Sequence, residues 1–337
     1  MSQILPSFKL IDTFQAVADS GSIERAATML NAKPTTVSQQ LKLLEAQLGV
    51  ILLDRSKRPL RLTKRGKQFL LSTTDLRNQY RQVVHSLHPT AGTDLAQLSL
   101  AIIDDFNASL TPALASTLAA KLPRTKLTLL SGRSDNVLDL LSTAKVDAAI
   151  TAQFPNENSK LSANALLKER LVLVSSIASG LSQLSGDRLK AALMERPYIA
   201  YEPDSPLGRL ILQHLKRLRL DKEPVVVFDN NLSIFEMVKR LDGWTITTPL
   251  NVLSAVAPTT EPGIVVRELP FTDTSRTLWL LSNPELSAIP LGSDGQTLDQ
   301  FLAQEIQRLV QTTVLPLVGK ALPGLKPNCV TLLADDP

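Results

Sequence analysis

The side chains best suited to chemistry in this sequence are cations and short polar groups within residues 33–67, and the chemistry that they suit is nucleic-acid binding. Seven basic residues and no acidic residue lie within residues 55–67. Just before them, Thr35, Gln39 and Lys42 would share one helix face, opposite an apolar stripe. A hydroxyl, an amide and a cation near a helix N-terminus suit base edges and phosphates in the major groove of DNA. A solvated helix face is the alternative, and the adjoining basic segment favours the DNA interpretation.

The predicted DNA contacts fall into two classes. Cations of the basic segment are expected to hold backbone phosphates, which sets orientation but not sequence preference. Residues at the start of the helix are expected to lie closest to the bases. The candidates are Lys33, Pro34, Thr35, Thr36, Ser38, Gln39, Lys42, Arg55, Lys57, Arg58 and Arg61.

Catalytic chemistry is not indicated. The three histidines, His85, His88 and His214, lie away from the predicted strand ends. The sequence has no serine elbow between glycines, no Gly-Lys-Ser/Thr phosphate loop and no metal-spaced His/Cys cluster. Asp104-Asp105 is an adjacent carboxylate pair at a predicted strand end; it could bind a cation or a substrate amine, but it is more typical of a cap on the next helix. We therefore predict a protein that is not an enzyme and that uses no metal or cofactor.

Two helices around a short corner would position the polar face. Ser22 is a favourable N-cap for the first helix. Residues 31–34 form the corner, because the residue before Pro34 disfavours helical geometry and the first helix therefore ends. The second helix has an apolar stripe with spacings of four, three and four, formed by Val37, Leu41, Leu44 and Leu48. In the basic segment that follows, Leu60 and Leu62 alternate with polar positions, which is typical of a β-hairpin with a cationic rim. This order predicts a winged helix-turn-helix.

The segment resembles the winged helix-turn-helix of the LysR-type transcriptional regulators. The matching residues are Ser22-Ile23, Ala26-Ala27, Leu30, Ser38, Leu41, Leu44-Glu45, Leu48-Gly49, Leu53, Arg55, Leu62-Thr63 and Gly66. Lys33-Pro34 replaces the Ser/Thr-Gln pair that usually precedes the recognition helix, and Gln39 replaces the usual arginine. Pro34 has no amide hydrogen to donate, but it is tolerated as a first helical residue. These departures predict a base preference that is unusual for the family.

Charge is distributed unevenly along the 337 residues. Residues 1–90 contain 13 Lys and Arg against 6 Asp and Glu, whereas the remainder contains 23 against 26. A basic N-terminal segment is what a nucleic-acid partner requires. One cysteine, Cys329, excludes an intramolecular disulfide. The sequence indicates neither a signal peptide nor a membrane span, so we predict a cytoplasmic location and no membrane partner.

A long helix after Thr63 shows a heptad pattern, which predicts a dimer. Its apolar seam consists of Phe69, Thr73, Leu76, Tyr80, Val83 and Leu87. Packing on its own domain is the alternative, but no second apolar face supports it. A symmetric dimer predicts inverted half-sites in double-stranded DNA. The resemblance implies the same linker-helix dimer, paired further into tetramers, and RNA polymerase is a further expected partner.

Beyond a hinge, short strands and helices alternate, which predicts parallel sheets covered by helices. Ligands of such sheets bind at the carboxyl ends of the strands. Polar residues at these ends predict a pocket for an unidentified small-molecule effector, although each residue alone is more typical of a cap or a turn. The candidates are Asp104, Asp105, Asn107, Ser131, Arg133, Thr151, Tyr201, Asp204, Asn230, Asn231 and Thr248. Among them, Arg133 is the candidate anchor for an anionic effector.

This part of the chain also resembles the LysR effector-binding domain, an α/β fold of two periplasmic-binding-protein-like subdomains with a cleft between them. The matching segments are 138–141, 146–150, 170–174 and 243–249. Ala144 and Leu241 stand where glycine is usual. The resemblance implies a sequence-specific transcription regulator that a small-molecule effector controls. A constitutive or architectural DNA-binding protein, whose C-terminal part only oligomerises, is the alternative.

The predicted domain boundaries follow these patterns. They are a winged helix-turn-helix at 1–65, a linker helix at 66–88, a hinge at 89–96, an effector-binding domain at 97–312 and a tail at 313–337. Subdomain I comprises about 97–175 and 270–312, and subdomain II comprises about 176–269. The tail contains Pro316, Pro323 and Pro327 without a periodic pattern, so we expect it to be loosely ordered.

Overall fold

The computed structural model describes residues 5–54, 59–70, 72–73, 76, 95–155, 159–220, 222–255, 263–269, 274–291 and 295–333. The chain forms two compact units, Met1–Pro89 and Thr90–Pro337. Within the described ranges, no helix combines the length and the apolar composition that crossing a membrane requires.

The N-terminal unit contains helices and a short antiparallel hairpin. Its elements are α1 (Phe8–Ser20), α2 (Ile23–Met29), α3 (Pro34–Leu48), β1 (Leu53–Asp54) and β2 (Arg61–Leu62). Ser22 caps α2 by accepting a hydrogen bond from the N–H of Arg25 at 3.4 Å. Asn31 adopts a left-handed φ of 48° in the corner between α2 and α3. The predicted winged helix-turn-helix is confirmed.

The predicted apolar stripe of α3 forms the core of this unit. Val37, Leu41 and Leu44 are buried in one cluster with residues of α1 and α2. The hydroxyl of Thr13 on α1 donates to Oε1 of Gln40 on α3 at 2.7 Å, which adds a polar contact to the apolar one. These contacts fix the orientation of α3, so its opposite face is presented to solvent.

Helical residues follow the hairpin at 64–70, 72–73 and 76. The ring of Phe69 packs edge-to-face on that of Phe14, with 5.4 Å between centroids. Thr73 is buried, and its hydroxyl accepts a hydrogen bond from Nε2 of Gln15 at 3.5 Å. Phe69 and Thr73, which were predicted for the dimer seam, therefore pack on their own subunit because α1 covers the start of this helix. Leu76 is 45% exposed, and Tyr80, Val83 and Leu87 lie outside the described residues.

The larger sheet of the C-terminal unit contains β3 (Gln97–Ile103), β4 (Lys126–Gly132), β5 (Ala148–Thr151), β6 (Ser162–Arg170), β12 (Ser275–Ser282) and β15 (Val330–Leu332). Their order across the sheet is β15-β6-β12-β5-β3-β4. The pairs of β3 with β4 and β5 are parallel, whereas β12 and β6 pair antiparallel with their neighbours. Within this sheet, the prediction of parallel pairing is thus correct for β3, β4 and β5 and wrong for β6, β12 and β15.

A smaller antiparallel sheet has β7 (Val172–Ser176) between β10 (Trp244–Thr247) and β11 (Ile264–Glu268). Beside it, β8 (Ile199–Tyr201) pairs in parallel with β9 (Val226–Phe228), and a hairpin pairs β13 (Pro290–Leu291) with β14 (Gln296–Thr297). The helices of this unit are α4 (Leu110–Lys121), α5 (Ser134–Ser142), α6 (Gly186–Glu195), α7 (Pro206–Leu218), α8 (Asn231–Arg240), α9 (Pro249–Ala255), α10 (Leu298–Leu309) and α11 (Leu315–Ala321).

Two lobes result, the first around the larger sheet and the second around the smaller sheet with β8 and β9. The chain crosses between them at Leu171, whose N–H donates to the carbonyl oxygen of Thr274 on the returning segment at 2.9 Å. The crossing was predicted near Ser175, at the expected end of subdomain I, and it lies a few residues earlier because β6 ends at Arg170. The hydrogen bond joins the two crossing segments where the lobes meet.

The C-terminal tail is ordered through residue 333, contrary to the expectation of a loose tail. Residues Val310–Val314 form a π-helical turn between α10 and α11, and β15 pairs with β6 at the edge of the larger sheet. Nζ of Lys326 lies 2.9 Å from Oε2 of Glu268 on β11. These partners are distant in sequence, so the local pattern of the tail does not reveal them.

Ala144 has a left-handed backbone with a φ of 50°, at a position where the family usually has glycine. An L-residue in this region costs about 1–2 kcal/mol, whereas glycine adopts it freely. We expect Ala144→Gly to raise the free energy of unfolding by about 0.5–1 kcal/mol, since the greater freedom of glycine in the unfolded chain offsets part of the gain. Urea denaturation followed by tryptophan fluorescence would measure this change.

The matched control is Ala119→Gly, on the exposed side of α4. There the same substitution should lower the free energy of unfolding by about 0.5–1 kcal/mol, because glycine weakens a regular helix. A loss of stability in both variants would contradict the left-handed backbone at Ala144.

Candidate functional site

The exposed face of α3 carries the predicted DNA contacts. Pro34 is the first residue of the helix, and Lys33 before it has an extended backbone, as expected for a proline at this position. The exposed residues are Lys33, Pro34, Thr35, Gln39 and Lys42, and the partly exposed ones are Thr36 and Ser38. Hydroxyls, an amide and two cations therefore share one accessible helix surface.

The hairpin is held beside α3 by the carboxylate of Glu45. Its Oε1 accepts hydrogen bonds from the N–H groups of Leu52 at 2.9 Å and Leu53 at 3.2 Å. On the other side, the N–H of Leu60 donates to the carbonyl oxygen of Gly21 at 3.0 Å. Four basic residues at and after β2 are exposed, namely Arg61, Lys64, Arg65 and Lys67. Arg55, Lys57 and Arg58 lie outside the described residues.

Gly66 permits the close approach of the following helix to the hairpin. A Cβ atom at Gly66 would lie 2.1 Å from the carbonyl oxygen of Leu52, so any larger residue would displace the backbone. The helix, the hairpin and its cations are thereby held in one unit. Such a surface can bind phosphates through its cations and base edges through its amide and hydroxyl groups.

A cavity of about 340 Å³ lies between the two lobes of the C-terminal unit. The first lobe contributes the ends of β3 and β4 together with Arg276 of β12. The second lobe contributes the end of β8, the starts of α7 and α8, and part of α9. Seven predicted pocket residues line this cavity, namely Asp104, Asp105, Asn107, Arg133, Tyr201, Asn230 and Asn231.

Four predicted pocket residues lie outside the cavity lining, namely Ser131, Thr151, Asp204 and Thr248. Thr151 is fully buried, and its hydroxyl donates to the carbonyl oxygen of Ser134 at 3.2 Å. Thr248 is also fully buried, and its hydroxyl accepts a hydrogen bond from Nη2 of Arg276 at 3.1 Å. The other two residues are exposed. Thr151 and Thr248 therefore hold lining residues in place from behind. A location at a strand end does not reveal whether a side chain lines the cavity or supports a residue that does.

A buried group of one guanidinium and two carboxylates lies at the cavity. Arg276 forms ion pairs with Asp105 and with Glu169, whose Oε1 lies 2.6 Å from Nη2 of Arg276. Glu169 has no exposed surface, and its Oε2 accepts a hydrogen bond from the N–H of Leu250 at 3.2 Å. Burial raises the pKa of Glu169 more than the guanidinium lowers it. Although burial opposes it, the pKa of Arg276 is raised by the charges of both carboxylates, so the guanidinium stays protonated.

Arg133 joins the two lobes beside the cavity. Its guanidinium pairs with Asp135 on α5, with Nη2 and Oδ2 2.8 Å apart, and with Glu202 in the loop after β8. Two carboxylates thus neutralise this single cation. The expectation that Arg133 anchors an anionic effector loses its support, because the charge is already paired within the chain.

The second lobe presents neutral polar groups to the cavity. The hydroxyl of Tyr201 donates to Oδ1 of Asn231 at 2.8 Å and lies 2.6 Å from the hydroxyl of Thr247. Nδ2 of Asn231 donates to Oδ1 of Asn251 at 2.7 Å and to Oγ of Ser254 at 3.2 Å. Burial raises the pKa of Tyr201, so its hydroxyl remains neutral.

Sequence reasoning missed several site residues, notably Glu169, Arg276, Asn251 and Ser254. Glu169 directly precedes the segment 170–174 that resembles the effector-binding domain, and Arg276 lies two residues before the apolar run 278–281. A charged residue next to an apolar strand was the available signal. The pairing itself joins residues that are 107 positions apart, which no local pattern reveals.

Two family models match the chain. The model described as the bacterial regulatory helix-turn-helix protein, lysR family, matches residues 8–67. The model described as the LysR substrate binding domain matches residues 91–291. The first match contains α3 and the hairpin, and the second contains every residue that lines the cavity.

Relatives with similar sequences are named as transcriptional activators. A probable nitrogen assimilation transcriptional activator from Synechococcus elongatus is 24% identical over 81% of this chain and 88% of its own length. A probable hydrogen peroxide-inducible genes activator from Mycobacterium xenopi is 30% identical over 50% of this chain and 88% of its own length.

Solved structures share the fold. A full-length OxyR variant from Pseudomonas aeruginosa has a TM-score of 0.68 and 17% identity, covering 99% of this chain and 100% of its own. Full-length CbnR in complex with its target DNA has a TM-score of 0.53 and 17% identity, covering 90% of this chain and 99% of its own.

Proposed function

Because this chain belongs to the LysR family of transcriptional regulators, we propose that it binds operator DNA as a dimer and responds to an effector held between its lobes. One observation carries the DNA assignment: the predicted contact residues of α3 are accessible on one face, beside exposed cations of the hairpin. The effector assignment is supported by the polar cavity, whose volume of about 340 Å³ lies within the range of about 300–1,000 Å³ typical of ligand sites. A constitutive DNA-binding protein is not favoured, since the substrate-binding domain of the family matches this chain.

In this proposal, the N-terminal half of α3 enters the major groove. Thr35, Thr36, Ser38 and Gln39 approach base edges, and the hairpin cations hold the sugar-phosphate backbone. The dimer forms through the helix that begins at residue 64, and its exposed Leu76 begins the part of the seam that faces a partner. Tetramers and a contact with RNA polymerase are further proposals that rest on the family resemblance.

We expect Gln39→Ala to change base preference, whereas Arg61→Ala should weaken binding to all sequences alike. One bidentate side-chain contact to a base discriminates by about 1–3 kcal/mol, so Gln39→Ala should relax preference at one base pair by about 5- to 150-fold. A phosphate contact from Arg61 carries no sequence information. Selection from a randomised DNA pool, followed by affinity measurement on matched and mismatched duplexes, would separate the two effects.

The control is Gln47→Ala, an exposed glutamine at the other end of α3, which should leave both affinity and preference unchanged. If Arg61→Ala altered the selected sequence while Gln39→Ala only weakened binding, the two role assignments would be reversed.

Effector binding between the lobes would act through their relative position. A ligand that contacts both lobes favours one separation of the lobes, and the dimer helix transmits that preference to the DNA-binding units. A coupling of about 1–3 kcal/mol changes operator occupancy about 5- to 150-fold, which is sufficient for regulation.

Thiol oxidation is not supported as the sensing chemistry, although some relatives are named as hydrogen peroxide-inducible activators. Cys329 is the single cysteine of the sequence, and it is buried. Burial and the adjacent carboxylate of Glu268 raise the pKa of its thiol. Because the thiolate is the reactive form, this cysteine is poorly suited to react with peroxide. We therefore propose a reversibly bound small molecule as the signal.

The experiment that tests the proposed function is selection of bound DNA from a random pool, repeated with and without a low-molecular-weight cell extract. We expect inverted half-sites, which follow from a two-fold symmetric dimer, and an affinity or spacing that depends on the extract. Failure to enrich any sequence would contradict DNA recognition, and indifference to every extract fraction would contradict effector control.

A further inference from the structure

The charge of the cavity between the lobes indicates which ligands it accepts. Its two guanidinium groups are both paired inside the chain, Arg276 with Asp105 and Glu169, and Arg133 with Asp135 and Glu202. Each guanidinium therefore stands against two carboxylates. Each cluster of one guanidinium and two carboxylates therefore has one more negative than positive group, so neither arginine has much capacity to attract an anion.

Two more carboxylates line the cavity, those of Asp104 and Asp229. Oδ1 of Asp104 accepts a hydrogen bond from Nδ2 of Asn107 at 3.1 Å, and Oδ1 of Asp229 accepts one from Nδ2 of Asn230 at 3.1 Å. Both donors are neutral amides, which leave the negative charge in place. Among the described lining residues, no lysine is present and no arginine other than the two already paired.

Helix N-termini oppose this negative charge only in part. The first residues of α5, α7 and α8 line the cavity, and each helix N-terminus is equivalent to about half a positive charge. Two of these termini are already capped, since Ser205 accepts from the N–H of Gly208 and Asn230 accepts from the N–H of Ser233, both at 2.9 Å. Six carboxylates and two guanidinium groups leave an excess of four negative charges, and protonation of Glu169, whose pKa is raised by burial, would still leave three. This excess is larger than the roughly one and a half positive charges of the helix N-termini, so the cavity is negative.

Burial makes one of these carboxylates a favourable partner for a cation. Asp104 is partly buried, and this loss of hydration raises its pKa more than the hydrogen bond from Asn107 lowers it. A cation placed beside a poorly hydrated carboxylate replaces the lost hydration and stabilises the ionised form. The neutral amides and hydroxyl of Asn231, Asn251 and Ser254 can bind the remaining polar groups of a ligand.

We propose that this cavity takes a cationic small molecule, one with an ammonium or guanidinium group that contacts Asp104. The proposal rests on the proposed function, because it identifies the cavity as the effector site. It differs from the expectation of an anionic effector because both arginines are neutralised by carboxylates of the chain itself.

Isothermal titration calorimetry on the full-length protein would test the ligand class. The probes are 1,4-diaminobutane and agmatine, which carry ammonium and guanidinium groups, and succinate, an anion of similar length. We expect both cations to bind and succinate not to bind. Because the attraction is electrostatic, affinity for the cations should fall as sodium chloride is added.

Asp104→Asn removes the charge at nearly constant volume and should weaken cation binding by at least about tenfold. Asp104→Glu keeps the charge and should retain most of the binding. The matched control is Asp139→Asn, on the exposed face of α5 outside the cavity lining, which should bind the cations like the original protein.

Two results would overturn the ligand class. One is succinate binding that is sensitive to cavity substitutions while the cations do not bind. The other is the absence of cation binding at millimolar concentrations. Neither result touches DNA recognition, whereas failure of the DNA selection would overturn the proposed function regardless of which probe binds the cavity.

Discussion

Operator affinity should fall about 10³- to 10⁵-fold when monovalent salt rises from about 50 to about 200 mM. The basic segment contains seven cations without an acidic residue, and the proposed dimer would carry this segment twice. A complex that neutralises about 6–10 phosphates releases that many condensed counterions, which produces a dependence of this steepness. Fluorescence anisotropy of a labelled operator, measured across a salt series, would give the slope directly.

Single substitutions would test whether the hairpin cations produce the slope of log affinity against log salt concentration. Arg61→Ala should reduce the logarithmic slope by about one for each hairpin on the DNA, because one phosphate contact is lost per subunit. Arg240→Ala, at an exposed arginine at the end of α8 in the C-terminal unit, is the control and should leave the slope unchanged. An affinity that is nearly independent of salt would contradict phosphate binding by the basic segment.

Replacing Arg276 with methionine should lower the free energy of unfolding of the C-terminal unit by about 3–5 kcal/mol. The substitution leaves Asp105 and Glu169 in place without the cation that both contact. Glu169 has no exposed surface, so water cannot replace the lost guanidinium. Urea denaturation monitored by tryptophan fluorescence would measure the loss.

The loss should depend on pH in a defined direction. The pKa of Glu169 is already raised by burial, and removal of the guanidinium would raise it further. A carboxyl group with a raised pKa binds more protons in the folded state than in the unfolded state, so stability falls as pH rises through that pKa. The destabilisation by Arg276→Met should therefore be smaller at about pH 5 than at about pH 8.

A second variant separates charge from packing. Combining Arg276→Met with Glu169→Gln removes one of the two unpaired carboxylates, so it should restore part of the stability and abolish most of the pH dependence. Arg240→Met, at an exposed site, should have little effect. A loss of the same size at both pH values, or one that Glu169→Gln does not reduce, would mean that lost packing and not charge is the cause.

Local patterns predicted the N-terminal unit well. Val37, Leu41 and Leu44 are buried as their spacing predicts, Ser22 caps α2, and Pro34 begins α3. These features depend on residues within a few positions of each other, so periodicity and capping preferences are sufficient. The exposure of Gln39 and its neighbours follows from the same periodicity.

Partners distant in sequence were not predictable. The pairing of Arg276 with Glu169 and the position of β15 beside β6 depend on how the chain crosses between lobes. Phe69 and Thr73 show the limit of a heptad pattern, because an apolar seam can pack on its own subunit as well as on a second one. The predicted strand ends were sufficient to identify seven residues that line the cavity. They did not predict that Thr151 and Thr248 are buried behind the lining, because that depends on side-chain packing.

Two left-handed residues lie at or beside the positions where the resemblance led us to expect glycine. Ala144 keeps the left-handed conformation that glycine would adopt, with a φ of 50°. At the second position the left-handed residue is Asp242, with a φ of 49°, rather than Leu241. The Asp242 carboxylate accepts a hydrogen bond from the hydroxyl of Ser176 at 2.9 Å, which helps to hold this turn.

Site-specific photo-crosslinking to a selected operator tests most directly whether α3 enters the DNA. A crosslinking amino acid at position 39, in the N-terminal half of the exposed face, should react with bases of the half-site. The same group at position 47, at the C-terminal end of α3, should react weakly or not at all, since the N-terminal residues of a recognition helix contact the bases. Crosslinks from position 47 alone, or from neither position on a duplex that the protein retains, would contradict the account.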